Sequence, residues 1–117
     1  MKLITLSISL GISRTINDWI SEMNNKYRYV ELHTHSFYSF GEGASHIHEL
    51  LSRAYELNYS AIALTDHNMC GSLEFSNQAN SLGIKPITGG EITLLDGSHI
   101  VLLAENEKGY TNISRLF

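Results

Sequence analysis

Two histidines, His33 and His35, end a short apolar run and are separated by a single residue. In a β-strand, alternate side chains point to the same face, so both imidazoles can reach one point from the end of a strand. Paired imidazoles of this kind supply half of a divalent-metal site. The alternative is two ordinary surface histidines, which is the commoner outcome for an isolated His-x-His. The spacing alone leaves both interpretations open.

Further imidazole and carboxylate side chains stand next to other apolar runs and glycines of the chain. These residues are Glu42, Asp66, His67, Glu91 and His99. Buried charge is costly unless it is paired or bound to a metal, so acidic groups and imidazoles gathered at strand ends favour a metal site. His99 begins its run instead of ending it and can join the others only if the hairpin before it is short. It is therefore the weaker candidate.

A mixed set of imidazoles and carboxylates suits zinc, manganese or iron. Glu91 could bridge two ions, and two or three close ions would acidify a bound water and hold phosphate oxygens during hydrolysis of a phosphoester. The chain has no Walker-type loop, no Gly-x-Ser-x-Gly and no strong dinucleotide fingerprint. A second His-x-His, His46 and His48, falls in a predicted helix. Helical residues two apart do not share a face, so this pair is interpreted as solvated.

Apolar runs and turn residues predict an alternating series of strands and helices. The predicted strands are 28–33, 61–64, 84–88, 92–95 and 99–104. Three helices are predicted. The first begins after Ser45 as its N-cap and ends at Asn58, and the other two cover 71–81 and 107–117. Gly89 and Gly90 are expected to end the third strand, and Asp96-Gly97 predicts a hairpin. The inward residues are expected to be Ile47, Leu50, Leu51, Ala54 and Leu57 in the first helix and Tyr110, Ile113, Leu116 and Phe117 in the last. Alternation of this kind predicts an α/β fold with a parallel sheet or part of a barrel.

Composition limits the possible classes of protein. The 117 residues suggest one domain or part of one, with a net charge of −4 and without a lysine or arginine cluster that would bind nucleic acid. The single cysteine, Cys70, excludes an intrachain disulfide and fits a reducing cytoplasm. Residues 1–26 are expected to be an N-terminal extension. Their apolar start resembles a signal peptide only weakly, because Lys2 is its one early charge and the residues that follow make a poor cleavage site.

Several motifs in order resemble a known family. They are His33-Thr34-His35, Tyr38-Ser39, Glu42-Gly43-Ala44, Ala63-Leu64-Thr65-Asp66-His67, Gly90-Glu91 and the segment 99–110. Together, over about residues 27–117, they resemble the PHP (polymerase and histidinol phosphatase) domain of bacterial DNA polymerase III alpha subunits, closer to the error-prone branch. The resemblance implies a distorted seven-stranded β/α barrel with up to three metal ions, of which residues 27–117 would be the N-terminal part.

The resemblance also implies roles for individual residues. Asp66 is implied to orient a histidine, with a cap at the end of its strand as the alternative. Glu42 stands where the family usually has the shorter Asp. The residues that match the family's metal ligands are His33, His35, His67, Glu91 and His99, with Glu42 as the carboxylate of the loop.

The implied function is a metal-dependent phosphoesterase or exonuclease within a cytoplasmic polymerase that serves DNA replication or repair. The implied partners are a phosphoester or a DNA 3′ end and the remaining polymerase domains, without a membrane. The alternatives are a free-standing phosphoesterase of the histidinol phosphatase kind and a structural domain without activity. The family's later ligands and the polymerase domains do not occur up to Phe117. We therefore expect incomplete metal occupancy, little turnover by these residues alone, and an open sheet edge that could self-associate.

Overall fold

The computed structural model describes residues 29–117. The expected extension 1–26 and the start of the first predicted strand at Arg28 lie outside these residues. The elements of the described part are α1 Ile47–Glu56, β1 Ala61–Leu64, α2 Ser72–Ser81, β2 Lys85–Thr93, β3 His99–Leu103 and α3 Glu107–Ser114. None of the helices in this part is long and apolar enough to cross a membrane.

The three strands form one sheet in the order β1–β2–β3. β1 and β2 run parallel, and α2 makes the crossover between them. β2 and β3 are antiparallel and are joined by the predicted Asp96-Gly97 hairpin. The predicted α/β alternation is therefore confirmed. The described residues form an open sheet of three strands, so the full barrel stays a prediction.

The expected first strand is reduced to a single bridge, Glu31 with Ile62, within the described residues. Main-chain hydrogen bonds run from Ala63 N to Glu31 O at 2.8 Å and from Thr65 N to Thr34 O at 2.9 Å. Between these two bonds the first segment has one residue more than β1 has. A regular ladder of hydrogen bonds therefore cannot form. The prediction of a full strand was wrong, although the segment does run parallel to β1 as expected.

The glycine pair at positions 89 and 90 does not end β2, contrary to the prediction. The strand continues through the pair and changes partner there, from β1 to β3. A Cβ on Gly89 would lie 2.3 Å from Leu102 O, and one on Gly90 would lie 2.6 Å from the ring of Phe117. The two glycines therefore permit close packing on a continuous strand.

We predict that Gly89→Ala destabilises the chain by about 1–3 kcal/mol, because the added methyl group meets a main-chain oxygen that cannot rotate away. Gly109 of α3 is the matched control, since its Cβ would have no neighbour nearer than 3.6 Å. Gly109→Ala should stabilise by about 0.5–1 kcal/mol through helix propensity. Denaturant unfolding of both variants measures the difference, and equal effects would contradict the packing account.

The core lies between the sheet and the helices α1 and α2. All four residues of β1 are buried, as expected of a strand covered on both faces. The buried cluster consists of Ile47, Leu51, Ala54, Ile62, Leu64, Phe75, Ala79 and Ile84. The spacing of α1 correctly indicated that Ile47, Leu51 and Ala54 are buried, but Leu50 is only partly buried and Leu57, which follows the helix, is 46% exposed.

The ends of α1 follow local rules with one change. His46, not Ser45, is the N-cap, and the Glu49 carboxylate accepts a hydrogen bond from His46 N at 2.7 Å. At the other end Asn58 takes a positive φ of 57° and closes the helix as predicted. The helix therefore begins one residue later than predicted, because the Glu49 side chain accepts a hydrogen bond from the main-chain amide of His46.

The last helix is shorter than predicted and buries less of itself. α3 begins after Asn106, whose side chain accepts from Gly109 N, and it ends at Ser114. Of the four residues expected to face inward, only Ile113 is buried. Tyr110, Leu116 and Phe117 remain 41–61% exposed, because the described sheet offers this helix only two strands to cover.

Candidate metal centre

His33 and His35 project from the extended segment beside β1, with ring centroids 5.0 Å apart. Glu31 Oε1 accepts a hydrogen bond from His33 N at 3.1 Å, which holds the main chain extended without a strand ladder. Both imidazoles point at the same carboxylate. The expectation that alternate residues would share one target therefore agrees with the geometry.

That carboxylate belongs to Glu91, which is 5% exposed and lies on β2 beyond the glycine pair. Glu91 Oε2 contacts Nε2 of His33 and lies 2.8 Å from Nε2 of His35. Glu91 Oε1 lies 3.0 Å from His99 Nδ1. His99 pairs with Thr93, two residues from Glu91, so both side chains lie on the same face of the hairpin. The hairpin is therefore short enough to bring His99 to the other candidate ligands, which was the condition for including it.

Glu42 approaches the other side of the cluster from a tight turn. Its amide donates to Ser39 O at 3.1 Å, and its Oε2 lies 2.7 Å from His67 Nε2 and 3.6 Å from His35 Nδ1. His67 comes two residues after Thr65, just past the end of β1. The side chain of Glu42 is 52% exposed, so this part of the cluster faces solvent.

The six side chains form three overlapping triads, in each of which the candidate ligand atoms lie within 4.8 Å of one another. Each triad shares one residue with each of the others. The first triad is His33, His35 and Glu91; the second is His35, Glu42 and His67; the third is His67, Glu91 and His99. Imidazole nitrogens with carboxylate oxygens are a donor set that suits zinc, manganese or iron.

The charge of Glu91 supports the same chemistry. Burial alone would raise the pKa of Glu91, but hydrogen bonds and charge from His33 and His35 outweigh it and lower the pKa below its ordinary value. Glu91 is therefore an anion at neutral pH. A buried anion needs a cationic partner, and a metal ion held by the surrounding imidazoles would supply that charge.

Comparison with known proteins identifies the domain. The family profile of the PHP domain matches residues 31–117. The chain belongs to the PHP domain family. It is 46% identical over 89 residues to an error-prone DNA polymerase of Symbiobacterium thermophilum, which covers 75% of this chain and 8% of that protein. The resemblance inferred from the motifs is confirmed.

Two further relatives are also named as DNA polymerases. A DNA polymerase III subunit alpha of Borreliella burgdorferi is 39% identical over 109 residues, covering 80% of this chain and 10% of that protein. An error-prone DNA polymerase of Xanthomonas axonopodis pv. citri is 40% identical over 89 residues, covering 75% and 8%. The chain spans about a tenth of the length of these curated relatives.

Shared residues limit how many ions the described part of the PHP domain can hold. A neutral imidazole offers one lone pair to a metal, whereas a carboxylate has an oxygen for each of two ions. The first and third triads share Glu91 and can be filled together. The second triad takes His35 from the first and His67 from the third. The described residues thus contain two triads of potential ligands that do not compete for an imidazole.

Asp66, expected to orient a histidine, makes other contacts in the PHP domain. Its carboxylate accepts hydrogen bonds from Ser36 N and Oγ, both at 2.6 Å, and from Ser39 Oγ at 2.7 Å. All three residues are buried. Sequence reasoning had assigned neither serine a role. Local spacing does not indicate that Ser36 meets an aspartate 30 residues later in the chain.

The second His-x-His pair lies outside the triads. His46 and His48 are exposed, and their rings stack with centroids 5.5 Å apart at the start of α1. His46 also packs on Phe37, with centroids 4.4 Å apart. The rings can meet because His46 is the N-cap and lies outside the helix proper. Neither residue belongs to a group of three or more potential ligands within the described residues.

Proposed function

We propose that this PHP domain binds divalent metal ions and hydrolyses phosphoesters. The proposed ligands are His33, His35, Glu42, His67, Glu91 and His99. The observation that carries the proposal is the set of three overlapping triads, which gathers side chains from distant parts of the chain. Four imidazoles around two carboxylates are more than an ordinary ion pair needs, and they match the donor set of a site for two ions.

The ions, when bound, acidify a coordinated water and withdraw charge from phosphate oxygens. The chain's own residues place and separate the two positions. Glu91 presents one oxygen to His33 and His35 and the other to His99. This buried carboxylate would therefore be a ligand common to both positions. Bridging of this kind is typical of sites that hold both oxygens of an in-line displacement.

Exposure indicates where a substrate would approach and how well water is excluded. The side chains of Glu42 and His99 are 52% and 42% exposed, whereas Glu91 is almost covered. The phosphoester would therefore approach from the side of Glu42 and His99. An open site of this kind keeps bulk water near the reacting groups and weakens each electrostatic contact. We expect slow turnover.

The relatives set the biological context of the proposal. They are named error-prone DNA polymerase and DNA polymerase III subunit alpha. We propose that the domain acts as part of such a polymerase, on a DNA phosphodiester or 3′ end, during replication or repair in the cytoplasm. This context favours a phosphodiesterase over a free-standing phosphatase for small phosphomonoesters.

The test is hydrolysis by the 117-residue chain loaded with Mn²⁺ or Zn²⁺. We expect slow hydrolysis of bis(p-nitrophenyl) phosphate and of the 3′ end of a single-stranded oligonucleotide, lost with EDTA and restored by metal. Faster hydrolysis of p-nitrophenyl phosphate or histidinol phosphate would favour the small-molecule phosphatase. Tight metal binding without any hydrolysis would favour a structural domain, and absence of metal binding would refute the proposal.

A further inference from the structure

The carboxylate of Asp66 lies at the centre of a buried polar cluster next to the proposed metal site. Its three hydrogen bonds, at 2.6–2.7 Å, come from Ser36 and Ser39. Asp66 is 1% exposed, and the two serines are 0% and 1% exposed. A buried polar side chain needs its hydrogen-bond partners, and these three short bonds satisfy both oxygens of Asp66. The cluster therefore fixes both serines firmly.

Those serines begin the loop that carries Glu42. Ser39 N donates to Ser36 O at 3.0 Å, and Ser39 O accepts from Glu42 N at 3.1 Å and from Gly43 N at 2.9 Å. The loop packs so closely that a Cβ on Gly43 would lie 1.9 Å from Ser36 O. The main chain at Glu42 is thus tied to the serines, and the serines are tied to Asp66.

Asp66 is also connected to the segments that carry other candidate ligands. Ser39 Oγ donates to Asp66 and accepts from His67 N at 3.2 Å. The Asp66 carbonyl accepts from Glu91 N at 3.0 Å. The main-chain bond to Glu91 does not depend on the Asp66 side chain, whereas the loop of Glu42 does. Loss of the carboxylate should therefore loosen the loop of Glu42 and leave the main-chain bond to Glu91 in place.

We propose that Asp66 is a positioning residue that holds Glu42 beside His67 by way of Ser36 and Ser39. The proposal rests on the proposed metal binding. Glu42 Oε2 lies 2.7 Å from His67 Nε2, so these two side chains would hold the same ion. Outer partners of a ligand typically contribute about 10- to 100-fold in metal affinity. Asp66 makes this contribution to a carboxylate ligand through two hydroxyl groups.

The first test uses the metal-free chain. Asp66→Asn keeps the shape of the side chain, but its NH₂ group cannot accept a hydrogen bond from a serine hydroxyl. Hydrogen exchange at the amides of Glu42 and Gly43 should become at least about 10-fold faster. The amide of Leu94 in the hairpin, which donates to Ser98 O, is the control and should not change. Unchanged exchange at Glu42 and Gly43 would overturn the proposal.

The second test is a double-mutant cycle on Mn²⁺ and Zn²⁺ affinity. Asp66→Asn and Glu42→Gln should each weaken binding by about 10- to 100-fold, and the double variant should be no weaker than the weaker single variant. Combination with His33→Ala, a ligand that does not contact the loop, should be additive. Additive effects of Asp66→Asn and Glu42→Gln would overturn the proposal. If the unmodified chain binds no metal, the proposed function fails, and hydrogen exchange alone decides on Asp66.

Discussion

Glu91→Gln is expected to reduce the number of tightly bound ions from two to one. Glu91 belongs to two of the three triads, and only the triad of His35, Glu42 and His67 survives its loss. The glutamine side chain has the same shape as that of Glu91 but no charge, so it cannot offer an anionic oxygen to each of two ions. Residues that hydrogen-bond to a metal ligand typically contribute about 10- to 100-fold to metal affinity. Loss of the ligand itself should therefore lower the affinity for the two ions by at least about 100-fold.

Metal titration followed by elemental analysis of the dialysed chain measures this effect. Glu56→Gln is the matched control, since Glu56 is an exposed carboxylate of α1 that pairs with Arg53 at 2.9 Å. That variant should keep both ions and any phosphodiester hydrolysis. A Glu91→Gln chain that still holds two ions with unchanged affinity would show that Glu91 does not bridge them.

Replacement of His33 and His35 can be compared with replacement of a second His-x-His pair in the same chain. The double variant His33→Ala/His35→Ala removes ligands from the first and second triads and leaves only His67, Glu91 and His99. We expect one bound ion at most and no measurable phosphodiester hydrolysis, because a single ion cannot hold both oxygens of the displacement. Metal content and hydrolysis of bis(p-nitrophenyl) phosphate are the two measurements.

The control is His46→Ala/His48→Ala, which removes the same two side chains from the same spacing. These imidazoles are exposed at the start of α1 and belong to none of the triads. Metal content and hydrolysis should stay the same as in the unmodified chain. Equal losses in both double variants would mean that the histidines act through folding or nonspecific metal binding, and the proposed centre would be refuted.

Local patterns were sufficient to predict much of the fold. The all-apolar run of β1 predicted a strand buried on both faces, and the Asp96-Gly97 pair predicted the hairpin. Asn58 marked the end of the first helix because it takes a positive φ there. Each of these signals depends on residues only a few positions apart, and local backbone energetics determine the outcome.

Two of the wrong predictions concern contacts between distant residues. Gly89 and Gly90 were interpreted as the end of a strand, but they make room for Leu102 and for the ring of Phe117. No local signal distinguishes a glycine that ends a strand from one that admits a neighbour. The predicted first strand forms only one bridge, because it has an extra residue opposite β1. This mismatch depends on the register between two separate segments.

The sequence by itself determined the family and the types of side chain available for chemistry, because motifs such as His33-Thr34-His35 are local and keep their order. Only the tertiary structure decided which of these side chains meet, since His33 and Glu91 are 58 positions apart. It also decided that Glu91 serves two triads and that Asp66 binds serines. Side-chain donors acquire a shared target only when packing fixes the distances between the segments that carry them.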